Sequence, residues 1–516
     1  MVEPHSTRDL DPELMSLVEP FDEFNQTLLA NVHPPEWVNP EPAERYHLVV
    51  IGAGTGGLVS AAGAAGLGAR VALIERRFMG GDCLNYGCVP SKAVIRSARA
   101  WHDARTGSER FGAPGATGDG DFGAAMERMR RLRATISRHD SAGRFADLGI
   151  DVFIGEGRFI AGDAAEVAGR RLRFRRAVVA SGARPFAPPI PGLDGIDFLT
   201  NENLFTLTEL PPRLGVIGGG PIGCEMAQAF ARFGSRVTLF DMSPHVLPRE
   251  DGDAAEIVQS ALIADGVDLE LACAINRVDS VDGGIAVTFE RAGSSHTATV
   301  DHLLVAVGRA PNVEGMGLEA AGVEFDRHGV KVDDRLRTTN SRIYAVGDVA
   351  SKYKFTHMAD ALARIAIQNS LFFGRAKASD LVVPWCTFTS PEIAHVGMYE
   401  QDAREAGHEV DTVTVPLTDN DRAVLEGADE GFLRIHLQKG KDRILGATLV
   451  ADHAGDMIGE LSLAVTTGVG LGKIAGVIHP YPTQAEVIKK AADTWRRGKL
   501  TPFVQKVFEL FFRLFR

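Results

Sequence analysis

The most reactive chemistry in the sequence is a pair of cysteines separated by four residues, in the run Gly80-Gly81-Asp82-Cys83-Leu84-Asn85-Tyr86-Gly87-Cys88-Val89-Pro90-Ser91-Lys92. Flanking Gly and Pro allow such a segment to close a small disulfide. At a helix start, the dipole lowers a thiol pKa and stabilises a thiolate. Taken in isolation, the same spacing also fits half of a metal site or two unrelated thiols. No second Cys pair and no nearby His completes a zinc site, so a redox pair is expected and no resident metal. The other three cysteines, Cys224, Cys273 and Cys386, sit in apolar stretches and are expected to be inert core residues.

Two glycine-rich turns supply the second chemistry. Gly52, Gly54 and Gly57 fall at the G-x-G-x-x-G positions after the apolar run His47 to Ile51, and Glu75 closes the next strand. Gly218, Gly220 and Gly223 repeat the pattern after Leu214 to Ile217, and Asp241 closes the strand that follows. In each unit the first glycine makes the turn, the second admits a pyrophosphate, and the third lets helix and strand pack closely. The carboxylate then accepts from ribose hydroxyls. Asp241 suits the free 2′-hydroxyl of NADH and repels a 2′-phosphate, and no Arg lies between it and Leu247. NADH is therefore the expected donor, with NADPH the alternative. Two such units imply two dinucleotides with hydride transfer between them.

These residues need a framework. The chain has 516 residues, 45% hydrophobic and 24% charged, with 56 Gly and a net charge of −12. That is the composition of a globular protein of roughly three or four domains. The acidic balance argues against nucleic acid as a partner. Five cysteines are too few for a disulfide-stapled scaffold, and neither a signal-like run nor a long uncharged stretch is present, so a cytoplasmic location is expected. The proline-rich residues 1–45 are expected to run extended over a surface, with one short helix within Leu14 to Leu29. Residues 107–123 read as a surface loop.

With the cysteine run, the two glycine turns, Ala180-Ser181-Gly182, Gly308-Arg309-Ala310-Pro311-Asn312, Ala345-Val346-Gly347-Asp348 and the segment Trp385 to Gly397, the sequence resembles the pyridine nucleotide–disulfide oxidoreductases from about Tyr46 to Thr501. The members nearest in pattern are mercuric reductase and dihydrolipoamide dehydrogenase. The resemblance implies an α/β fold: two Rossmann-like dinucleotide-binding domains plus a C-terminal α+β dimerisation domain. It divides the chain into an N-terminal extension (1–45), an FAD-binding part (46–190), an NAD(P)-binding domain (191–305), a second FAD-binding part (306–382) and a dimerisation domain ending in an amphipathic helix (383–516). It implies a homodimer in which FAD lies on Gly52, Gly54, Gly57, Glu75, Lys92, Ser181, Gly182, Gly347 and Asp348. The nicotinamide nucleotide would lie on Gly218, Gly220, Gly223, Asp241 and Gly308. Cys88 becomes the charge-transfer thiol of a Cys83–Cys88 disulfide, Cys83 the interchange thiol, and Lys92 pairs with Glu225 beside the flavin.

One position departs from the disulfide-reducing members. Their C-terminal motif carries a catalytic His just before Pro-Thr, and here that place is Tyr481, with Glu486 at the position of its orienting acid. Tyr, with a pKa near ~10, is a poor substitute for a near-neutral base. His479, two residues earlier, is either a compensating base or a structural residue. Tyr481 resembles mercuric reductase, yet no Cys follows Cys386 or precedes Cys83, so the expected thiolate relay for Hg(II) is missing. The expected function is a mercuric-reductase-like, FAD-dependent NAD(P)H oxidoreductase acting on a metal ion, small disulfide or other electrophile. Alternatives are a membrane-surface quinone reductase, a dihydrolipoamide dehydrogenase and a non-turnover redox sensor. Tyr86, between the redox cysteines, either narrows substrate access or is a packing variation. Residues 502–516 hold five Phe on a helical repeat with basic residues around them. They read either as a helix docked on the dimer or as a peripheral membrane contact.

Overall fold

The computed structural model describes residues 11–116 and 120–515. Residues 1–10 of the extension, 117–119 of the expected loop and Arg516 of the tail lie outside the described residues.

The apolar strand Tyr46–Ile51 lies at the centre of a seven-stranded sheet, flanked in parallel by Val71–Glu75 and Arg170–Val179. All of these strands are buried on at least one face, as βαβ strands covered by helices must be. Ile343–Ala345, nearly 170 residues on, pairs in parallel with Arg170–Val179. The chain thus leaves this first domain, builds a second, and returns to complete the first. The second domain has a four-stranded parallel sheet ordered Val267–Glu270, Arg236–Phe240, Arg213–Ile217, His302–Val305, with a three-stranded antiparallel sheet beside it. The third is α+β. Its five antiparallel strands run Pro384–Thr387, Glu392–Gly397, Ile444–Ala451, Phe432–Gln438, Val410–Pro416, covered by helices Ala454–Thr467 and Glu486–Gly498.

Two local expectations are corrected. The extension does not run extended over a surface. It forms helices Pro12–Ser16 and Glu23–Val32, capped by the carboxylates of Asp11 and Asp22, and buries Val18, Leu28, Leu29 and Val32 against the first domain. Its prolines punctuate these helices: Pro12 starts the first, and Pro20 and Pro34 lie in the flanking connections, where a missing N–H costs nothing. The second correction concerns residues 107–123. Helix Cys88–Phe111 continues through Gly107 and ends at Gly112, whose φ of +65° closes a helix terminus that bulkier residues disfavour. Helix Phe122–Ser137 starts on the Asp121 cap, so the connection is shorter than the composition implied.

Helix Pro221–Phe233 of the second domain locks the three domains together. Gln228 exchanges two bonds with the backbone of Ser390 (2.7 and 2.9 Å), and Arg232 donates to the Ser390 hydroxyl (3.0 Å). Arg105, on the long helix of the first domain, donates to the Arg232 carbonyl at 2.8 Å.

Candidate active site

The two glycine turns face one cavity of about 1730 Å³ between the domains. Cys83, Cys88, Lys92, Glu225 and Asp348 line it. Each turn is carved out for something other than a side chain. A Cβ on Gly57 would sit 1.8 Å from the Gly52 carbonyl oxygen, and one on Gly223 the same 1.8 Å from that of Gly218, so the helix can start this close to the strand only at glycine. At Gly220 nothing lies within 4 Å of the added carbon, which leaves the phosphate approach open. The two carboxylates hold their turns alike. Glu75 accepts from the N–H groups of Ala53 and Arg77 (both 2.7 Å), and Asp241 from those of Gly219 (2.5 Å) and Ser243 (2.7 Å). Burial pushes the Glu75 carboxyl up. Ser181 and Gly182 form the turn after Arg170–Val179, with the Ser181 hydroxyl donating to the Asn312 carbonyl at 2.7 Å. Gly308 lies on the cavity wall.

Cys83 lies on the short helix Gly81–Asn85 and Cys88 opens the long helix Cys88–Phe111. Cys88 is exposed and Cys83 half-buried. Hydrogen bonding from Cys83 holds the Cys88 thiol down at about 6, helped by Thr356, 3.3 Å away, and by the Lys92 charge, against the opposing effect of burial. The same bond, with burial, pushes Cys83 far up. One sulfur is thus built to be a thiolate near neutral pH and the other a protonated donor to it.

Lys92, one turn beyond Cys88 on the same helix, donates to Glu225 at 2.8 Å, as expected, and its ammonium stands 4.5 Å from the centre of the Phe388 ring. The other Glu225 oxygen accepts from the Phe388 N–H at 2.9 Å. Gly347 opens the short turn that presents Asp348. Burial raises the Asp348 carboxyl, opposed by Arg309 (3.6 Å) and Lys354.

Three expected residues are not brought to this cavity. Tyr481 is 68% exposed on the third domain and donates to Asp421 at 2.8 Å, a bond that raises its phenol further. His479 pairs with Glu460 at 3.1 Å, and Glu486 begins a helix of the third domain. Tyr86 turns inward: its ring is buried beside Phe78 and its hydroxyl has no partner. It therefore packs the base of the redox segment rather than narrowing the entrance. Cys224 and Cys273 are buried as expected. Cys386 is half-buried on the cavity wall instead of in the core, its thiol raised by burial. Among the described residues no group of three His, Cys, Asp or Glu side chains forms a metal cradle.

Residues 46–363 match the family described as pyridine nucleotide-disulphide oxidoreductase, and residues 383–492 match its dimerisation domain. The chain is a pyridine nucleotide-disulphide oxidoreductase. It is 36% identical to a mercuric reductase of Bacillus cereus over 89% of this chain and 73% of that protein. It is 31% identical to a dihydrolipoyl dehydrogenase of Bacillus subtilis over 87% and 98%. Among solved structures it is similar to the Cu(II) complex of the HOCl-induced flavoprotein disulfide reductase RclA from Escherichia coli, with a TM-score of 0.77 and 31% identity over 86% of this chain and 98% of that one. Pyridine nucleotide-disulphide oxidoreductases depend on FAD and use NAD(P)H, and the two open glycine cradles fit two such dinucleotides. The dimerisation domain supports a homodimer.

Sequence patterns alone passed over several contributors to this site. Thr356 belongs to no motif and is found only through its contact with Cys88. Phe388, which both binds Glu225 and covers Lys92, lies in the third domain. Arg309, within a recognised motif, is revealed as a charge between Asp82 (3.2 Å) and Asp348 only by the fold.

Proposed function

We propose that this oxidoreductase is an NADH-oxidising enzyme that reduces a metal ion or another electrophile in preference to a disulfide. FAD, when bound on the first glycine turn, carries electrons from the nicotinamide nucleotide to the cysteine pair. The chain's own residues supply the rest. The paired Asp241 carboxylate in the second turn favours a ribose over a ribose phosphate. Lys92, held by Glu225, places a positive charge at the junction of the two turns and the long helix. The Cys88 thiolate and the protonated Cys83 divide the dithiol into a charged sulfur and a neutral one.

The observation that carries the substrate reading is Tyr481. Thiol–disulfide exchange needs a group that protonates the leaving thiolate, typically worth 10²–10⁴-fold. Tyr481 has its proton committed to Asp421 and its phenol raised above the ordinary value, so it is a poor proton donor to a leaving thiolate. Within one protomer it also lies outside the lining of the cysteine cavity. A metal ion or quinone leaves no thiolate to protonate and escapes this penalty.

The test is an anaerobic NADH assay with lipoamide, glutathione disulfide, Hg(II), Cu(II) and a quinone as acceptors. Metal ions or quinone are expected to turn over faster than either disulfide, and Tyr481→His is expected to raise disulfide turnover by about 10²-fold or more while leaving the metal rates within a fewfold. Wild-type lipoamide turnover of ~10² s⁻¹ would instead assign the chain to dihydrolipoamide dehydrogenase.

A further inference from the structure

The last helix, Pro502–Leu514, has no buried residue. Phe503, Phe511, Phe512 and Leu514 are 50–75% exposed, and Phe508 and Leu510 are exposed beside them. At 3.6 residues per turn, the apolar side chains from Leu510 round to Phe512 cover an arc of about 200°, leaving a polar strip of Gln505, Lys506, Glu509 and Arg513. A helix that buries one stripe against its own domain does not need an apolar arc this broad. A helix of thirteen residues is about 20 Å long, too short to cross a ~30 Å hydrocarbon layer. Among the described residues no helix is long and apolar enough to do so.

Charge selects the occupant of this face. From residue 496 onward the sequence has six cations, Arg496, Arg497, Lys499, Lys506, Arg513 and Arg516, against the single carboxylate of Glu509, in a chain whose net charge is −12. Neither Lys506 nor Arg513 makes an ion pair among the described residues. Lys506 and Arg513 lie on the polar strip beside the apolar arc, where they would meet headgroups while the Phe side chains enter the acyl boundary. Gly498 to Thr501 joins this helix to the preceding one, and the Thr501 hydroxyl caps it.

We propose that helix Pro502–Leu514 is an in-plane anchor that docks the enzyme on anionic lipid surfaces. The inference does not depend on the identity of the electron acceptor.

The experiment uses the full chain loaded with FAD and sedimented with vesicles of equimolar phosphatidylglycerol and phosphatidylcholine, or of phosphatidylcholine alone. Wild type is expected to bind the anionic vesicles, to bind the neutral ones about tenfold or more weakly, and to be released by high salt. Phe508→Asp with Phe511→Asp is expected to lower anionic binding by at least about tenfold, and Lys506→Glu with Arg513→Glu by about tenfold. Both variants should retain FAD and wild-type NADH oxidation, which checks their folding. Equal binding to both vesicle types overturns the electrostatic half of the proposal. No binding to either overturns all of it. If the aspartate variant separates the dimer while wild type ignores lipid, the helix is instead a seam between protomers.

Discussion

The two glycine turns are built on the same plan yet set their carboxylates in different surroundings. In both, the acid at the end of the second strand accepts from the residue after the first glycine and from the residue two positions beyond itself. Glu75, however, is buried in a seven-stranded sheet and its carboxyl is raised by that burial. Asp241 is half-exposed at the end of a four-stranded sheet, next to Met242, which is 80% exposed. The comparison teaches that a shared fingerprint fixes the contacts to a dinucleotide, while the surrounding sheet decides whether the dinucleotide is enclosed or exchangeable. Under the proposed function, the first turn holds the resident flavin and the second a visiting nucleotide.

The sharpest way to break this contrast is to add the same methyl group to each. Gly57→Ala and Gly223→Ala both drive a carbon against a backbone oxygen that cannot step aside. Gly57→Ala is expected to yield protein without bound flavin. Gly223→Ala should keep its yellow colour and its reduction by dithionite while NADH-driven reduction slows by about 10²-fold. Loss of flavin from the Gly223 variant would erase the distinction between the sites. A smaller effect sharpens it: Asp241→Ala should cut the preference for NADH over NADPH in kcat/KM by about tenfold, near 1.4 kcal/mol. Glu75→Gln, in the other turn, should leave that preference where it is.

The smallest expected effect is a shift in a pH profile at the cysteine pair between the turns. Because Cys88 is held at about 6, its thiolate is present above that pH and lost below it. The rate of alkylation of reduced enzyme by iodoacetamide, relative to its plateau at higher pH, should fall to half near pH 6. The largest influence holding Cys88 down is its bond from Cys83, so Cys83→Ala should move that midpoint upward. A midpoint that does not move would assign the depression to Lys92 and the helix start.

Much of this site was legible because its chemistry is local in sequence. The glycine spacings and the cysteine run are read from short motifs, and the pairing of Lys92 with Glu225 follows only from the family resemblance. What stayed hidden depends on distant segments meeting. Arg133 is 2% exposed and donates to the Asn85 carbonyl and to Asn25 of the extension (both 2.8 Å), while Arg130 bonds Asp22 at 2.6 Å. Desolvation lowers the Arg133 guanidinium to about 10. No periodicity in residues 1–45 announces that Asn25 and Asp22 accept from two arginines beneath the redox helix, because the pattern that matters is a pairing across more than a hundred residues. Proline count was misleading for the same reason: it reports where helices end and says nothing of what they bury. The aromatic tail was legible as a helix from spacing alone, but the exposure of its apolar face among the described residues was not.

The bonds that fix helix Pro221–Phe233 also constrain motion. Glu225 joins Lys92 to Phe388, Gln228 and Arg232 grip Ser390, and Arg105 holds the far end. Swinging the second domain about a hinge would break all of these at once, so the microsecond-to-millisecond opening common in nucleotide-binding enzymes has no free axis here. Entry to the second turn falls instead to side chains at its lip. Ile222, 42% exposed at the start of that same helix, can exchange rotamers on the picosecond-to-nanosecond scale. Met242 and Val307, exposed on the same cavity wall, share that freedom, so the mobile part of the entrance is its side chains and not its frame.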